Sequence, residues 1–212
     1  SMTHRVAEEV FLGENIWRTS TTAQADYWQG PFVSSSYNYR DVINQSKYPY
    51  YASNKDKTLS VPFTAEETLL VKAEAEIIQK KYDAAVADLN TWTSAYLNTT
   101  KKSFTKEDII AFYKALEYNS EAEPTMKKKL HPAFTLDGGE DQEMLLHYLL
   151  QCRRVATVHE GLRWFDIRRY GIEVYRFVHD TKDRAKVTVA KTLSSWDEHT
   201  TFQIPQNVRN AG

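Results

Sequence analysis

Through the middle of the chain, apolar side chains recur every three to four residues, which is the spacing of one face of an α-helix. This pattern predicts helices over residues 64–80, 83–98 and 105–118. A long fourth helix is predicted to begin near Asp141 and to continue towards Gly161. The intervening residues 119–140 contain proline and a pair of glycines, which favour irregular structure.

The first two predicted helices form a close pair. Thr64 and Glu67 fit a capping box, in which hydroxyl and carboxylate bond reciprocally to backbone amides at the helix start. The pair spans about 34 residues, the period of a tetratricopeptide repeat. Because one such unit cannot bury its own hydrophobic face, we expect helical hairpins of tetratricopeptide-like type that pack on further helices.

Near the C-terminus the period shortens to two. Residues 174–178 and 186–189 alternate apolar and polar side chains as strands do, and the polar stretch 180–183 separates them. This pattern predicts a small C-terminal β-hairpin. The predicted fold class is therefore mostly α, with long loops and one hairpin.

The first sixty residues differ from the rest of the chain. Residues 3–60 lack a sustained period, contain loop signals such as Gly30-Pro31 and are rich in Trp and Tyr. We interpret residues 3–212 as a single region, with 3–60 loop-rich and 61–212 a helical scaffold plus a tail. Residues 1–2 (Ser-Met) resemble a remnant of cloning.

A dense run of charged and aromatic side chains ends the long helical stretch. It extends from Glu160 to Gly171, and its charged residues stand three apart, as helical neighbours do. Exposed pairs of this kind contribute only about 0.2–0.5 kcal/mol each. The interleaved apolar residues, Phe165 among them, predict a partly buried network instead, and Gly171 is predicted to cap the helix in the left-handed conformation. The structural motif comprises Glu160, Arg163, Trp164, Asp166 and Arg169.

Three stretches together resemble the SusD/RagB family. They are the helix pair over 64–97, the run from Glu160 to Gly171, and the tail Ile204-Pro205-Gln206. The arginine–tryptophan–aspartate run is the most specific of the three. The resemblance implies a nutrient-binding lipoprotein on the extracellular face of the outer membrane of Bacteroidetes. It also implies a partner, a SusC-like TonB-dependent transporter barrel, which receives an oligosaccharide or another nutrient.

Members of that family are longer than this chain and carry a signal peptide and a lipid-bearing cysteine. The resemblance therefore implies that this chain is a C-terminal part and that the lipid anchor lies outside it. It implies no cofactor and no enzymatic activity.

Composition narrows the function classes further. The chain has 212 residues, is 42% hydrophobic and 26% charged, and has a net charge of −1. Without a global excess of positive charge, nucleic acid is not an expected partner. A single cysteine, Cys152, excludes an internal disulfide, and its place on an apolar stripe predicts an inert core thiol.

Candidate chemistry in the chain is sparse. Glu160 and Asp166 would lie about 9 Å apart along a helix, a separation that suits paired carboxylates in an inverting glycosidase. The adjacent arginines would keep both acids ionised, which does not suit a general acid. His147 and His159 are too far apart in sequence for a helical zinc site, and no metal site is predicted.

The aromatic loop between residues 26 and 51 is the predicted binding surface. Its flat rings and polar side chains match the apolar C–H face and polar rim of a sugar. The alternative is that these rings pack against the N-terminal half of a longer protein, which this chain is expected to lack. A second alternative for the whole chain is a helical-repeat interaction scaffold that binds no sugar. The candidate ligand-binding residues are Trp28, Tyr37, Asn38, Tyr39, Arg40 and Asp41.

Overall fold

The computed structural model of the chain describes residues 16–17, 64–96, 103–122, 125–157, 161–179, 187–201 and 204–210. Within these residues it confirms a mostly helical protein with one small antiparallel sheet. A 3₁₀ turn precedes the last helix. The elements in chain order are α1 (Ala65–Ile78), α2 (Tyr82–Tyr96), α3 (Lys106–Ala115), α4 (Asp141–Ala156), α5 (Arg163–Arg169), β1 (Val174–His179), β2 (Val187–Leu193), the 3₁₀ turn (Glu198–Thr200) and α6 (Gln206–Arg209).

The chain divides into two compact units. The helical unit comprises the chain up to Lys128 together with Leu136–Arg163. The C-terminal unit comprises Lys129–Thr135 together with the chain from Trp164 onward. The C-terminal unit is therefore discontinuous in sequence: residues 129–135 belong to it, and its remaining residues begin more than 25 positions later.

Capping side chains mark where two helices of the first unit, α1 and α3, begin. The predicted capping box is confirmed: Thr64 N–H donates to Glu67 Oε2 (3.0 Å), and Glu67 N–H donates to Thr64 Oγ1 (3.3 Å). A second box joins Thr105 and Asp108 at the start of α3, with both bonds at 3.1 Å. Between α1 and α2 the chain turns at Lys80, whose φ is 61°. The tetratricopeptide-like type of this hairpin remains a prediction.

Helix α4 forms the core of the helical unit. Thirteen of its sixteen residues are buried, and it packs against α1, α2 and α3. A helix buried on all sides must place its polar residues against protein rather than water. The predicted continuation towards Gly161 is wrong, because α4 ends at Ala156. There the hydroxyl of Thr157 donates to the carbonyl of Arg153 at 2.8 Å, a local bond that competes with further helix.

The short helix α5, all of which except Arg163 belongs to the C-terminal unit, ends in the predicted glycine cap. Gly171 has a φ of 56°, and Ile172 N–H donates to the carbonyl of Ile167 at 3.0 Å. This bond, which spans six residues, is characteristic of a Schellman motif. Strands β1 and β2 then pair antiparallel from Val174↔Leu193 to His179↔Val187, which confirms the predicted hairpin. The register shifts by one residue beyond Arg176, where a β-bulge lies in the hairpin.

Candidate functional site

The predicted ligand-binding residues lie outside the described residues, so their role remains a prediction. They are Trp28, Tyr37, Asn38, Tyr39, Arg40 and Asp41. The described part of the N-terminal stretch includes one aromatic side chain, Trp17. It is only 1% exposed and belongs to the core of the helical unit. At least one ring of the aromatic stretch therefore serves packing.

A chain of hydrogen bonds fixes Trp17 in that core. Its Nε1 donates to Tyr148 Oη at 3.1 Å, and Tyr148 Oη lies 2.9 Å from Thr93 Oγ1. The Thr93 hydroxyl donates to the carbonyl of Leu89 at 2.9 Å, so Tyr148 donates to Thr93. The Trp17 ring also lies 6.2 Å from that of Trp92. The Trp17 nitrogen and the Tyr148 and Thr93 hydroxyls are each hydrogen-bonded, as burial requires.

A cluster of polar side chains from the described part of the helical unit surrounds the Glu143 carboxylate in the first turn of α4. Tyr118 Oη donates to Glu143 Oε1 at 2.8 Å, and His147 Nε2 lies 3.2 Å from the same oxygen. Backbone N–H of Gly139 donates to the other oxygen, Oε2. The ammonium of Lys127 lies 4.3 Å from the centroid of the Tyr118 ring and donates to the carbonyl of Leu116. One carboxylate thus holds groups from three segments of the chain.

Burial and hydrogen bonding fix the protonation states of this cluster. Burial alone would raise the pKa of Glu143, but hydrogen bonds from His147, Gly139 and Tyr118 outweigh it and lower the pKa to about 2. Burial lowers the pKa of His147, which favours its neutral form. Burial and the bond to Glu143 raise the pKa of Tyr118 to about 12. The Glu143 carboxyl and the Tyr118 hydroxyl therefore titrate far from neutral pH, an arrangement suited to holding position rather than to transferring protons.

Two further contacts join α1 to α4. Arg153 Nη2 lies 2.5 Å from Glu74 Oε2, and both side chains are largely buried. Gln142 Nε2 donates at 3.1 Å to the carbonyl of Ile77 in the last turn of α1, which also accepts a bond from the backbone N–H of Lys80 at 3.0 Å. The polar residues of α4 therefore orient the neighbouring helices.

Cys152 is fully buried on α4, as the sequence predicts. Burial raises the pKa of its thiol well above the ordinary value, so the reactive thiolate is disfavoured. Among the described residues no group of three or more His, Cys, Asp and Glu side chains is placed to hold a metal ion. His159 and Glu160 lie outside those residues.

The structure assigns different environments to the residues of the 160–171 motif. The side chain of Asp166 is buried at 7% exposure, whereas Phe165 is 60% exposed. The expectation that Phe165 helps to bury the network is wrong, because it shares a helix face with Arg168 and the exposed Arg169, three and four residues on. The guanidinium of Arg169 lies 5.4 Å from the ring centroid of Phe134.

The remaining motif residues are placed as follows. Arg163 begins α5 and is partly exposed. Trp164 is partly exposed as well, and its buried Nε1 has no hydrogen-bond partner among the described residues. Glu160 lies outside the described residues, so the predicted contact between Glu160 and Arg163 remains a prediction.

Two features of the structure were missed by sequence reasoning. The cluster at Glu143 had a visible signal, since Glu143 and His147 stand four apart in a helix that is otherwise largely apolar. The second feature is the corner between β2 and the 3₁₀ turn, at Trp196. Its sequence signal is weaker: a tryptophan between Ser195 and Asp197, two residue types that favour turns. The left-handed backbone conformation of Trp196, with a φ of 62°, is visible only in the structure.

Within the described residues, no helix has the length and apolar character needed to cross a membrane. Comparisons with protein-family models, curated proteins and solved structures give no match. The functional assignment therefore depends on the residues of the chain itself.

Proposed function

We propose that this chain is part of a non-catalytic, cell-surface nutrient-binding protein of SusD/RagB type. In this proposal it binds a glycan and passes it to a TonB-dependent transporter barrel in the outer membrane. The observation that carries the proposal is the run from Arg163 to Gly171, because its sequence is the most specific part of the resemblance. Within that run Asp166 is buried and Gly171 adopts the left-handed conformation of a helix cap, so both residues have a structural role.

The organisation of the helical unit supports a binding rather than a catalytic role. One of its buried carboxylates, Glu143, accepts bonds from three donors and is held ionised, whereas a general acid needs a raised pKa. The buried groups of α4 bond to neighbouring helices, as expected of a scaffold that displays binding loops elsewhere. In the proposal those loops lie between residues 26 and 51.

Alanine variants of the predicted loop test this proposal. We expect Trp28→Ala and Tyr39→Ala to reduce retention of a polysaccharide in affinity electrophoresis, because each removes a flat ring. Their free energy of unfolding should stay within about 1 kcal/mol of the parent, as for side chains outside the core. Trp17→Ala provides the contrast, since removal of a buried tryptophan should cost about 3–5 kcal/mol.

Two results would contradict the proposal in different ways. Unchanged retention with a lowered melting temperature in the Trp28 and Tyr39 variants would identify those rings as core. Absence of retention by the parent chain across a panel of neutral and acidic polysaccharides would favour the helical-repeat interaction scaffold instead.

A further inference from the structure

The corner between β2 and the 3₁₀ turn carries an exposed tryptophan in an unusual backbone conformation. Trp196 has a φ of 62°, in the left-handed region that favours glycine, and its residue surface is 52% exposed. A bulky residue there costs conformational free energy that Gly or Asn would avoid. Strained residues of this kind cluster at binding and active sites. The corner therefore retains a large ring that neither backbone preference nor burial explains.

A hydrogen bond holds the exposed ring in one orientation. The indole Nε1 of Trp196 donates to the backbone carbonyl of His131 at 2.8 Å. The edge of the ring lies directly against Gly171, where an added Cβ would be 2.9 Å from Nε1 and 2.4 Å from the His131 oxygen. Glycine at position 171 thus allows both the left-handed cap of α5 and the close approach of the Trp196 ring and the His131 carbonyl.

The backbone beneath the ring is fixed as well. Ser195 Oγ donates to the carbonyl of Gly171 at 2.5 Å, and His131 N–H donates to the carbonyl of Tyr170 at 2.7 Å. Because both bonds hold the two backbones that flank the ring, its edge is tethered while half of its surface stays accessible. A rigid ring loses little conformational entropy when a ligand stacks on it.

Polar groups follow the ring immediately in the chain. Asp197 Oδ1 accepts hydrogen bonds from the backbone N–H of His199 (2.8 Å) and lies 2.7 Å from its Nδ1. The side chain of His199 is 75% exposed. A carboxylate and an imidazole, bonded to each other, thus follow the ring by one and three residues in the chain.

From this geometry we propose that Trp196 is a stacking platform for one sugar ring of a glycan, with Asp197 and His199 as hydrogen-bonding partners for its hydroxyl groups. A pyranose has an apolar C–H face that fits an indole and a polar rim that needs acceptors and donors, the combination present at this corner. The proposal rests on the proposed function, since it names a second contact surface for the same class of ligand. It is separate from the predicted loop at residues 26–51.

Phe165 provides a matched control in the same unit. Its ring is also exposed, at 60%, but it lies on α5, among the arginines of that helix. If any exposed aromatic side chain retained polysaccharide, Phe165→Ala and Trp196→Ala would have equal effects. The platform proposal requires them to differ.

The test is affinity electrophoresis of the whole chain and its variants through gels containing a soluble glucan, galactan, mannan or polygalacturonate. For a polysaccharide that retards the parent, we expect Trp196→Ala to weaken retention at least tenfold and Phe165→Ala to leave it unchanged. Trp196→Phe, which retains a flat ring but loses Nε1–H, should give an intermediate loss. Circular dichroism melting of each variant shows whether a loss of retention is a loss of fold.

A second readout keeps the test decisive if Trp196→Ala does not fold. Addition of the retarding polysaccharide should shift the tryptophan fluorescence of the parent, and Trp196→Phe should reduce that shift by removing the contribution of Trp196, while the four other tryptophans, including Trp28 of the predicted loop, remain.

Three results would overturn the platform. Retention of Trp196→Ala equal to the parent would do so while leaving the proposed function intact. Equal losses in Trp196→Ala and Phe165→Ala would indicate non-specific apolar adhesion. Failure of the parent to bind any of the polysaccharides would overturn the proposed function and the platform together.

Discussion

The helical unit buries charged side chains along α4, whereas the C-terminal unit exposes large apolar ones. Glu74, Glu143 and His147 are all buried in the first unit, and each has a polar partner. Six large apolar side chains are exposed among the described residues, and five of them belong to the C-terminal unit. Val71 is in the helical unit, and the other five are Phe165, Val178, Trp196, Ile204 and Val208.

The two units therefore differ in the role of their side chains: buried polar groups hold the helical unit together, and exposed apolar groups of the C-terminal unit are available to contact a ligand. Glu143 bonds to Tyr118 and Gly139 in the segments that precede α4, and Arg153 bonds to Glu74 on α1, so these polar groups define one arrangement of the chain around α4. The Trp196 ring bonds to His131 through its edge alone and leaves half of its surface exposed, and aromatic side chains of this kind dominate the energy of recognition. The comparison predicts that substitutions in the first unit change mainly stability and that exposed positions in the second change mainly binding.

The largest expected effect comes from breaking the buried cluster. Glu143→Ala removes the acceptor for Tyr118, His147 and the Gly139 amide, so we expect a loss of about 4 kcal/mol in the free energy of unfolding. Glu107→Ala is the control, because that side chain is 76% exposed, and it should cost at most about 1 kcal/mol. Urea denaturation followed by circular dichroism measures both. Equal costs would mean that Glu143 is no more structural than a surface acid.

A pair of glycines gives the next effect and compares the two units directly. Gly139 in the helical unit and Gly171 in the C-terminal unit both have positive φ, so alanine at either should cost about 1 kcal/mol in backbone strain. Among the described residues no atom lies within 4 Å of an added Cβ at Gly139, whereas at Gly171 it would meet the His131 carbonyl. Gly171→Ala should therefore cost about 2 kcal/mol more than Gly139→Ala. A smaller difference in urea denaturation would mean that residues 129–135 shift without penalty.

Acidification should produce the smallest of the three effects. The pKa of Glu143 is lowered from 4.5 to about 2, so the stability that its ionised form contributes is present above pH 4.5 and is lost as the pH falls towards 2. The pKa of His147 is also lowered, so His147 adds a loss of stability on acidification that begins as the pH falls below 6.5. We expect the Glu143 contribution to be on the order of 2 kcal/mol, less than the full shift implies because the adjacent Gly138 and Gly139 are exposed.

The measurement is the urea midpoint between pH 3 and pH 8 for the parent and for Glu143→Gln. The parent should lose stability as the pH falls from 4.5 to 3, and the glutamine variant should lose less over that interval. Parallel profiles would show that Glu143 is not the group responsible.

Sequence reasoning located the elements of the fold where local physics decides them. The Thr64–Glu67 box and the Gly171 cap are short-range devices, and both occur as predicted. Hydrophobic period located α1, α2, α3 and the hairpin within a few residues. The end of α4 was misplaced because apolar spacing continues past Ala156, while the hydroxyl of Thr157 bonds back to the preceding turn.

The candidate site depended on tertiary contacts that no local pattern records. The Gly139 amide and the Tyr118 hydroxyl meet at Glu143 only after the segments before α4 fold back onto it. Trp17 resembles its aromatic neighbours in sequence, and its burial depends on the distant Tyr148. The left-handed backbone at Trp196 likewise follows from contacts with residues 131 and 171.

The discontinuity of the C-terminal unit has a consequence during synthesis. His131 leaves the ribosome about 40 residues before Tyr170, its backbone partner, which at 5–20 residues per second is a delay of roughly 2–8 s. The helical unit, by contrast, has all of α1 to α4 once Ala156 has emerged. Nascent chains are thus expected to carry residues 129–135 as an unpaired segment after the helices can pack, and a translational pause between codons 156 and 170 would lengthen that exposure.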